Sequence, residues 1–405
     1  MKYRVDKVSG NKLSVLGFGC MRFPHIGPAI DINLTEKLIM KAVDAGVNYF
    51  DTAYLYPGSE DALGQILERN GARDKVFIAS KLPMVMLRKK EDIEKCFQTE
   101  LKHLRTDHID YYLMHMLTDL AQWEKFCSWG IEEWIAAKKA SGQIRQIGFS
   151  FHGSCAEYLK ILEKYPADHP LWEFAQIQYN YSDENYQAGV TGLKKTAEMG
   201  LPVIIMEPLL GGKLANLSKE AATIFADLNK SLDKNYSPAV WAFRWLWNQS
   251  EPTVVLSGMN SMAQLDDNLA AADEAEAGIL TEAEIEAYQK VRTIFRASYK
   301  IPCTGCNYCM PCPQGVNIPG LFAAYNTRYS QGFMSGMQQY MTSTHVTSDH
   351  TGRPGNCIAC CACEKHCPQH LPIIHNLKEV RRKMEFQPVG IGIDIARAFL
   401  GRKGK

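Results

Sequence analysis

Cys303, Cys306, Cys309 and Cys312 recur at every third residue in IPCTGCNYCMPCPQG (301–315), and Pro313 follows the last of them. A second group, CIACCACEKHCPQH, carries Cys357, Cys360, Cys363 and Cys367 in the pattern C-x2-C-x2-C-x3-C-P. Nine of the 13 cysteines fall between 303 and 367, whereas Cys20, Cys96, Cys127 and Cys155 are scattered. Three thiolates on one tight loop can cap three irons of a four-iron cluster while the fourth reaches a neighbouring cluster. Eight such ligands suit two 4Fe-4S clusters. Four thiolates also satisfy tetrahedral zinc, but zinc sites usually offer two separated C-x2-C pairs rather than an unbroken run ending in C-P. The first run has two residues before its last cysteine instead of three, so Cys312 is the weaker assignment to the far cluster. Cys361 is left over and is expected to pack as a small side chain.

Four other titratable groups stand at the ends of successive apolar runs. Asp51 lies in YFDTA (49–53) with Tyr56 five residues on, Lys81 in VFIASKL (76–82), and His115 closes HIDYYLMH (108–115). Reduction of a carbonyl needs an acid for the developing alkoxide, and free tyrosine, with a pKa near 10, is a feeble one at neutral pH. An ammonium about 4 Å away, at an effective dielectric near 20, favours the phenolate by up to ~4 kcal/mol, a shift of up to roughly three units. Lys81 can therefore make Tyr56 effective, with Asp51 holding Lys81 in place and a neutral His115 orienting the substrate oxygen. Each residue has a simpler role available, as cap, rim packing, solvated strand end or core histidine. Their recurrence in register on consecutive runs favours the joint role.

Positioning these groups requires a sheet whose strand ends converge. Adding SVLGFG (14–19), IRQIGFSF (144–151), FAQIQY (174–179), VIIMEPL (203–209) and TVVLSG (253–258) gives eight short, nearly all-apolar runs. The segments between them, such as LTEKLIMKAVDAG and EDIEKCFQTELKHL, have apolar residues at helical spacing. Eight buried strands with crossover helices predict a parallel (β/α)8 TIM barrel, whose chemistry gathers at the carboxyl ends of the strands. KVSGNKLS reads as a hairpin closing the barrel floor, and SPAVWAFRWLWNQ (237–249) as a buried helix before the eighth strand.

The domains expected are a barrel over 1–275, a helical connector over 276–300 with a capping signal at Thr281 and Glu284, and a smaller cysteine-bearing domain over 301–405. IPGLFAAYNTRYSQGFMSGMQQYM, between the cysteine runs, and LPIIHNLKEVRRKMEF, after them, make that domain mainly helical. A chain of 405 residues with 46% hydrophobic content suits two cores. With 45 basic and 44 acidic residues no field of one sign is available to attract nucleic acid or an anionic membrane. The start shows no signal-peptide pattern and no run of eighteen apolar residues occurs, so the expected location is the cytoplasm.

NYFDTAYLYPGSEDALG, IASKL, IDYYLMH, IRQIGFS, IQYN and EPLLGGKL together resemble the aldo-keto reductase family over about residues 10 to 275. With the cysteine runs, the chain is similar to the branch carrying a C-terminal ferredoxin-type domain. The resemblance implies hydride transfer from a nicotinamide cofactor to an aldehyde or ketone, with Asp51, Tyr56, Lys81 and His115 matching the family's tetrad. It implies that Ser150 and Gln178 hold the nicotinamide amide, that Leu209, Gly211 and Gly212 form the pyrophosphate loop, and that Asn268 contacts the adenine. Phe151, Met206 and Glu207 depart from that pattern. Gly258 and Gln264 stand where relatives place cations for the 2′-phosphate, which leaves NADP and NAD both open. A flavin in the barrel is the further alternative. Substrate is expected near Cys20, Met21, His25, Leu55 and Phe151, an apolar mouth suited to a small carbonyl compound or its alcohol, with His152 a further contact.

Clusters pass single electrons whereas nicotinamide delivers two as a hydride. One function is therefore an oxidoreductase whose clusters link it to a redox partner protein. The other is an electron-relay or docking protein in which the barrel is a ligand-binding scaffold. Purely structural clusters are a third arrangement.

Overall fold

A computed structural model describes residues 1–166, 169–330, 332–344 and 352–385. Twelve strands occur in them: β1 (Tyr3–Val5), β2 (Lys12–Ser14), β3 (Leu16–Gly19), β4 (His25–Ile26), β5 (Ala29–Ile30), β6 (Tyr49–Asp51), β7 (Phe77–Leu82), β8 (Ile109–Leu117), β9 (Ile144–Phe151), β10 (Phe174–Gln178), β11 (Val203–Met206) and β12 (Pro252–Ser257). The expected eight, β3 and β6 to β12, pair in parallel and close into a barrel, β12 returning to β3.

Side chains alternate along a strand, so every second residue points inward. The inward stacks run from apolar at the floor to polar at the carboxyl end: Tyr49 then Asp51, Ala79 then Lys81, Leu113 then His115, Phe174 then Gln176 and Gln178. The floor is filled by aromatic rings, Tyr111 lying 5.2 Å from Tyr49 and 5.1 Å from Phe174 between ring centres. Gly148 faces Phe174 across the strands, and a Cβ there would stand 2.5 Å from the Phe174 carbonyl oxygen, so only glycine fits. The antiparallel hairpin β1–β2 seals this end as expected, because the Tyr111 hydroxyl donates to Asp6 Oδ2 at 2.8 Å.

The seventh run is shorter than expected. β11 stops at Met206 because Glu207 and Leu210 take left-handed backbone, φ +54° and +48°. The chain then gathers into two compact units, the first comprising Met1–Leu209 and Ala239–Thr281, the second Leu210–Pro238 and the residues from Glu282 onward. The second unit therefore includes a helix inserted between two barrel strands, Lys219–Leu232, on which the helix Glu282–Ser298 packs through Phe225 and Tyr288, ring centres 5.5 Å apart.

Ile318–Ser330, Phe333–Ser343 and Ile373–Met384 make the second unit mainly helical, as expected. Its core joins Val316, Leu321, Phe322, Tyr340, Leu377 and Val380, with six of the cysteines packed against it. Among the described residues, no helix is long and apolar enough to cross a membrane.

Candidate active site and metal centre

Asp51, Lys81 and His115 are brought to the barrel's carboxyl end by the closure of β6, β7 and β8. The Lys81 ammonium donates to Asp51 Oδ1 and to the Thr52 carbonyl, both at 2.6 Å, with both ends of the ion pair buried. Tyr56, on the loop after β6, places its ring centre 5.0 Å from Lys81 Nζ and 6.1 Å from the His115 ring, edge to face. All four groups named from the sequence thus meet at one mouth. Burial, the Lys81 charge and nearby His152 hold His115 well below the usual imidazole range, so it is neutral. A bulge between Met114 and Leu117, with Met116 at φ +62°, re-aims the end of β8 at this point.

Gln176 was not anticipated, yet its Nε2 donates to Asp51 Oδ2 at 2.8 Å from across the barrel. The period-two pattern of FAQIQ carried the signal, since it puts Gln176 on the same face as Gln178. Ser150 lies in register with Gln176, and its hydroxyl accepts from the Met116 N–H at 2.9 Å, leaving the O–H hydrogen to serve as a donor. With the buried Gln178 side chain it forms a hydroxyl-and-amide set that fits a carboxamide.

The mouth differs from expectation at Phe151. Its side chain points outward, buried against Tyr158 with ring centres 5.0 Å apart, because Ser150 already takes the inward position. Cys20 is buried beside Asp51 and Lys81, its thiol pushed well up by burial and then by the Asp51 charge. His25 is exposed on the β4–β5 hairpin. Asn268 is buried and donates to Ser257 Oγ at 2.7 Å. Gln264 is exposed and accepts from the Asn260 N–H at 2.9 Å in the cap of its helix. Gly258 is exposed and has the Arg22 side chain over it, 3.5 Å from where a Cβ would stand. The aliphatic stem of Arg22, from the turn after β3, therefore lies beside the end of β12, a position that the sequence pattern did not single out.

In the second unit, Gly211 (φ +64°) lies against the first cysteine loop, a Cβ there standing 2.1 Å from the Thr304 carbonyl oxygen. Gly212 (φ +86°) has open space around it. Cys303, Cys306, Cys309 and Cys367 line one cavity together with Phe322 and Ile373. Burial and the thiols of Cys303, Cys306 and Cys367 push the Cys309 thiol up to about 12. The last cysteine of the second run thus joins three of the first, the crossing that the spacing implied. Among the described residues, no three such side chains close on a single metal ion. Four sulfurs ringing a cavity fit a multi-iron cluster, whereas a zinc ion holds its sulfurs at about 2.3 Å from one point.

Cys357 and Cys363 are neighbours in the second loop, and burial, Glu364 and Cys357 push the Cys363 thiol up to about 11. Cys312 packs on the domain core with them. Cys361, expected to be a packing residue, is instead exposed, because its φ of +61° turns the chain outward into the short helix Ala362–Lys365.

Residues 15–291 match the model of the aldo/keto reductase family, and residues 302–372 that of a 4Fe-4S dicluster domain. The chain is 25% identical over 322 residues to aldo-keto reductase str7 of Strobilurus tenacellus, covering 70% of this chain and 90% of that protein. It is 22% identical over 310 residues to aldo-keto reductase yakc [NADP(+)] of Schizosaccharomyces pombe, covering 67% and 87% respectively. The solved aldo-keto reductase AKR11C1 of Bacillus halodurans superimposes with a TM-score of 0.57 at 24% identity, covering 72% of this chain and 96% of that one. The chain belongs to the aldo/keto reductase family, and it carries a C-terminal 4Fe-4S domain.

Proposed function

We propose that the barrel reduces an aldehyde or ketone, or oxidises the corresponding alcohol, with NAD(P), and that the cysteines hold two 4Fe-4S clusters which link the protein to a one-electron partner. The convergence of Lys81 on Asp51, Tyr56 and His115 carries this reading. A nicotinamide bound between Ser150 and Gln178 would supply the hydride to the carbonyl carbon. The Tyr56 hydroxyl gives its proton to the carbonyl oxygen, and the Lys81 ammonium stabilises the phenolate left behind. Asp51, gripped by Gln176 on its other oxygen, keeps Lys81 from swinging away. Neutral His115 donates to the substrate oxygen and fixes its approach without bringing a second positive charge beside Lys81.

Cys303, Cys306, Cys309 and Cys367 would hold one cluster and Cys357, Cys360, Cys363 and Cys312 the other.

Two measurements test this reading. Anaerobically purified protein should absorb near 400 nm with about eight irons per chain; colourless protein with stoichiometric zinc would overturn the cluster assignment. Tyr56→Phe should lower NAD(P)H-dependent carbonyl reduction by roughly 10²–10⁴-fold while nicotinamide binding, followed by fluorescence, is unchanged. Undiminished turnover would remove Tyr56 as the acid.

A further inference from the structure

The two cysteine loops differ in exposure and charge. In the first, residues 301–316 contain no charged side chain, Thr304 is buried, and the loop packs against Gly211. The second is turned to solvent. Ile358 is 63% exposed, and Ala359, Cys360 and Cys361 beside it are exposed as well. Left-handed backbone at Ala359 and Cys361 holds this short apolar crest outward.

Charge around the crest is one-sided. Residues 352–385 contain six Lys or Arg and three Glu. All three acids are engaged: Glu364 accepts from the Ile374 N–H at 2.8 Å, Glu379 from Arg382 at 2.7 Å, and Glu385 from Arg353 at 2.7 Å. Lys365 and Lys378 remain as exposed cations, and exposed Arg381, one turn after Lys378 on the same helix, lies 3.7 Å from Glu385 Oε2, the carboxylate whose other oxygen Arg353 holds. Arg381 is 64% exposed and lies over the turn Pro354–Asn356 that leads into Cys357, 3.6 Å from where a Cβ on Gly355 would stand. Lys365 follows the crest on the short helix Ala362–Lys365, its N–H bonded to the Cys361 carbonyl. A bound cluster adds negative charge at the centre of the loop, so the field is a cationic rim around an apolar, electron-carrying centre.

Resting on the two-cluster reading above, we propose that the crest Ile358–Cys361, with its rim of Lys365, Lys378 and Arg381, docks a small acidic one-electron carrier protein. Electrons pass between that carrier and the second-loop cluster, and from there to the cluster whose loop packs on Gly211. Each passage is a one-electron exchange in which the carrier is oxidised as the cluster is reduced, or the reverse. A small apolar contact with a charged rim suits an encounter complex, since electron-carrier interfaces bury less than about 1,200 Å² and rim charges set the association rate.

The test mixes reduced acidic ferredoxin with anaerobic protein and follows bleaching near 400 nm by stopped flow, alongside calorimetric affinity for the oxidised ferredoxin. The triple variant Lys365→Glu, Lys378→Glu, Arg381→Glu should slow bleaching and weaken binding by at least about tenfold. Raised salt should do the same to the unaltered protein. K365Q and R381Q should fall between, with iron content and dithionite-bleached amplitude unchanged in every variant. Rate and affinity both within twofold of the parent would overturn the proposal. So would equal reactivity with a basic carrier, or loss of binding to anionic vesicles in place of loss of binding to ferredoxin. If dithionite fails to bleach even the parent protein, the redox role of the clusters is lost instead, and the calorimetric comparison still judges the docking surface.

Discussion

Two of the three N–H groups of Lys81 are held, by Asp51 and by the Thr52 carbonyl, and this fixes the ammonium beside the Tyr56 ring. Lys81→Met should therefore do more harm than the loss of one contact: in the proposed mechanism it removes the cation that would stabilise the Tyr56 phenolate, and it leaves Asp51 buried without its cation. Carbonyl reduction should fall by about two orders of magnitude or more, and the pH at which turnover declines on the alkaline side should move upward, which a pH–rate profile would reveal. His115 titrates in the opposite sense. Its imidazole is depressed in the folded chain, so between that value and the ordinary one near 6.5 the unfolded chain binds a proton that the folded chain does not. Stability then falls as pH drops through that window, by up to about 1.4 kcal/mol per unit. His115→Gln should flatten this slope in denaturant titrations at pH 5 and pH 7.

The helices Ser59–Arg69 and Glu91–Leu104 bury two carboxyl groups against the barrel, Glu60 and Glu100. Ser80 donates to Glu60 Oε1 at 2.5 Å and lies 3.3 Å from Glu100 Oε1, while Tyr112 donates to Glu100 Oε2 at 2.5 Å. Burial and then the Glu60 charge hold Glu100 well above the ordinary carboxyl range. The folded chain keeps a proton that the unfolded chain releases, so stability is lost as pH rises from the ordinary value toward the raised one. Glu100→Gln should thus raise the melting temperature more at pH 8 than at pH 5, and an equal shift at both would show that Glu100 is ionised in place. The loop at Gly211 is a second such element. Gly211→Ala meets both a left-handed backbone and the Thr304 carbonyl, a cost on the order of 1–3 kcal/mol. Iron content and the thermal stability of the cluster absorbance should fall, whereas Gly212→Ala, with space around it, should be milder.

Over the whole molecule, the insertion 210–238 folds with the cysteine-bearing residues rather than with the strands that flank it in sequence. Binding free energy from cluster ligation is folding free energy for the unit that supplies the thiolates. Removal of iron with a chelator should therefore raise amide hydrogen exchange in 210–238, 301–330 and 352–385 together, and leave β6 to β10 protected. Loss of protection confined to the two cysteine loops would separate the insertion from the unit.

The barrel and the ligand spacing were legible in the chain because both are local. Alternation along each strand carries Asp51, Lys81 and His115 to one end, and the C-x2-C-x2-C spacing by itself matches the pattern that suits one cluster. Other features depend on which distant segments meet. Gln176 reaches Asp51 across 125 residues only once the barrel closes, and Cys367 enters the cavity of the first run only when its loop folds back. The exposure of Cys361 and the union of 210–238 with the C-terminal unit belong to the same class. Periodicity sets which face a side chain shares with its neighbours; chain closure and competition for interior space set what that face meets.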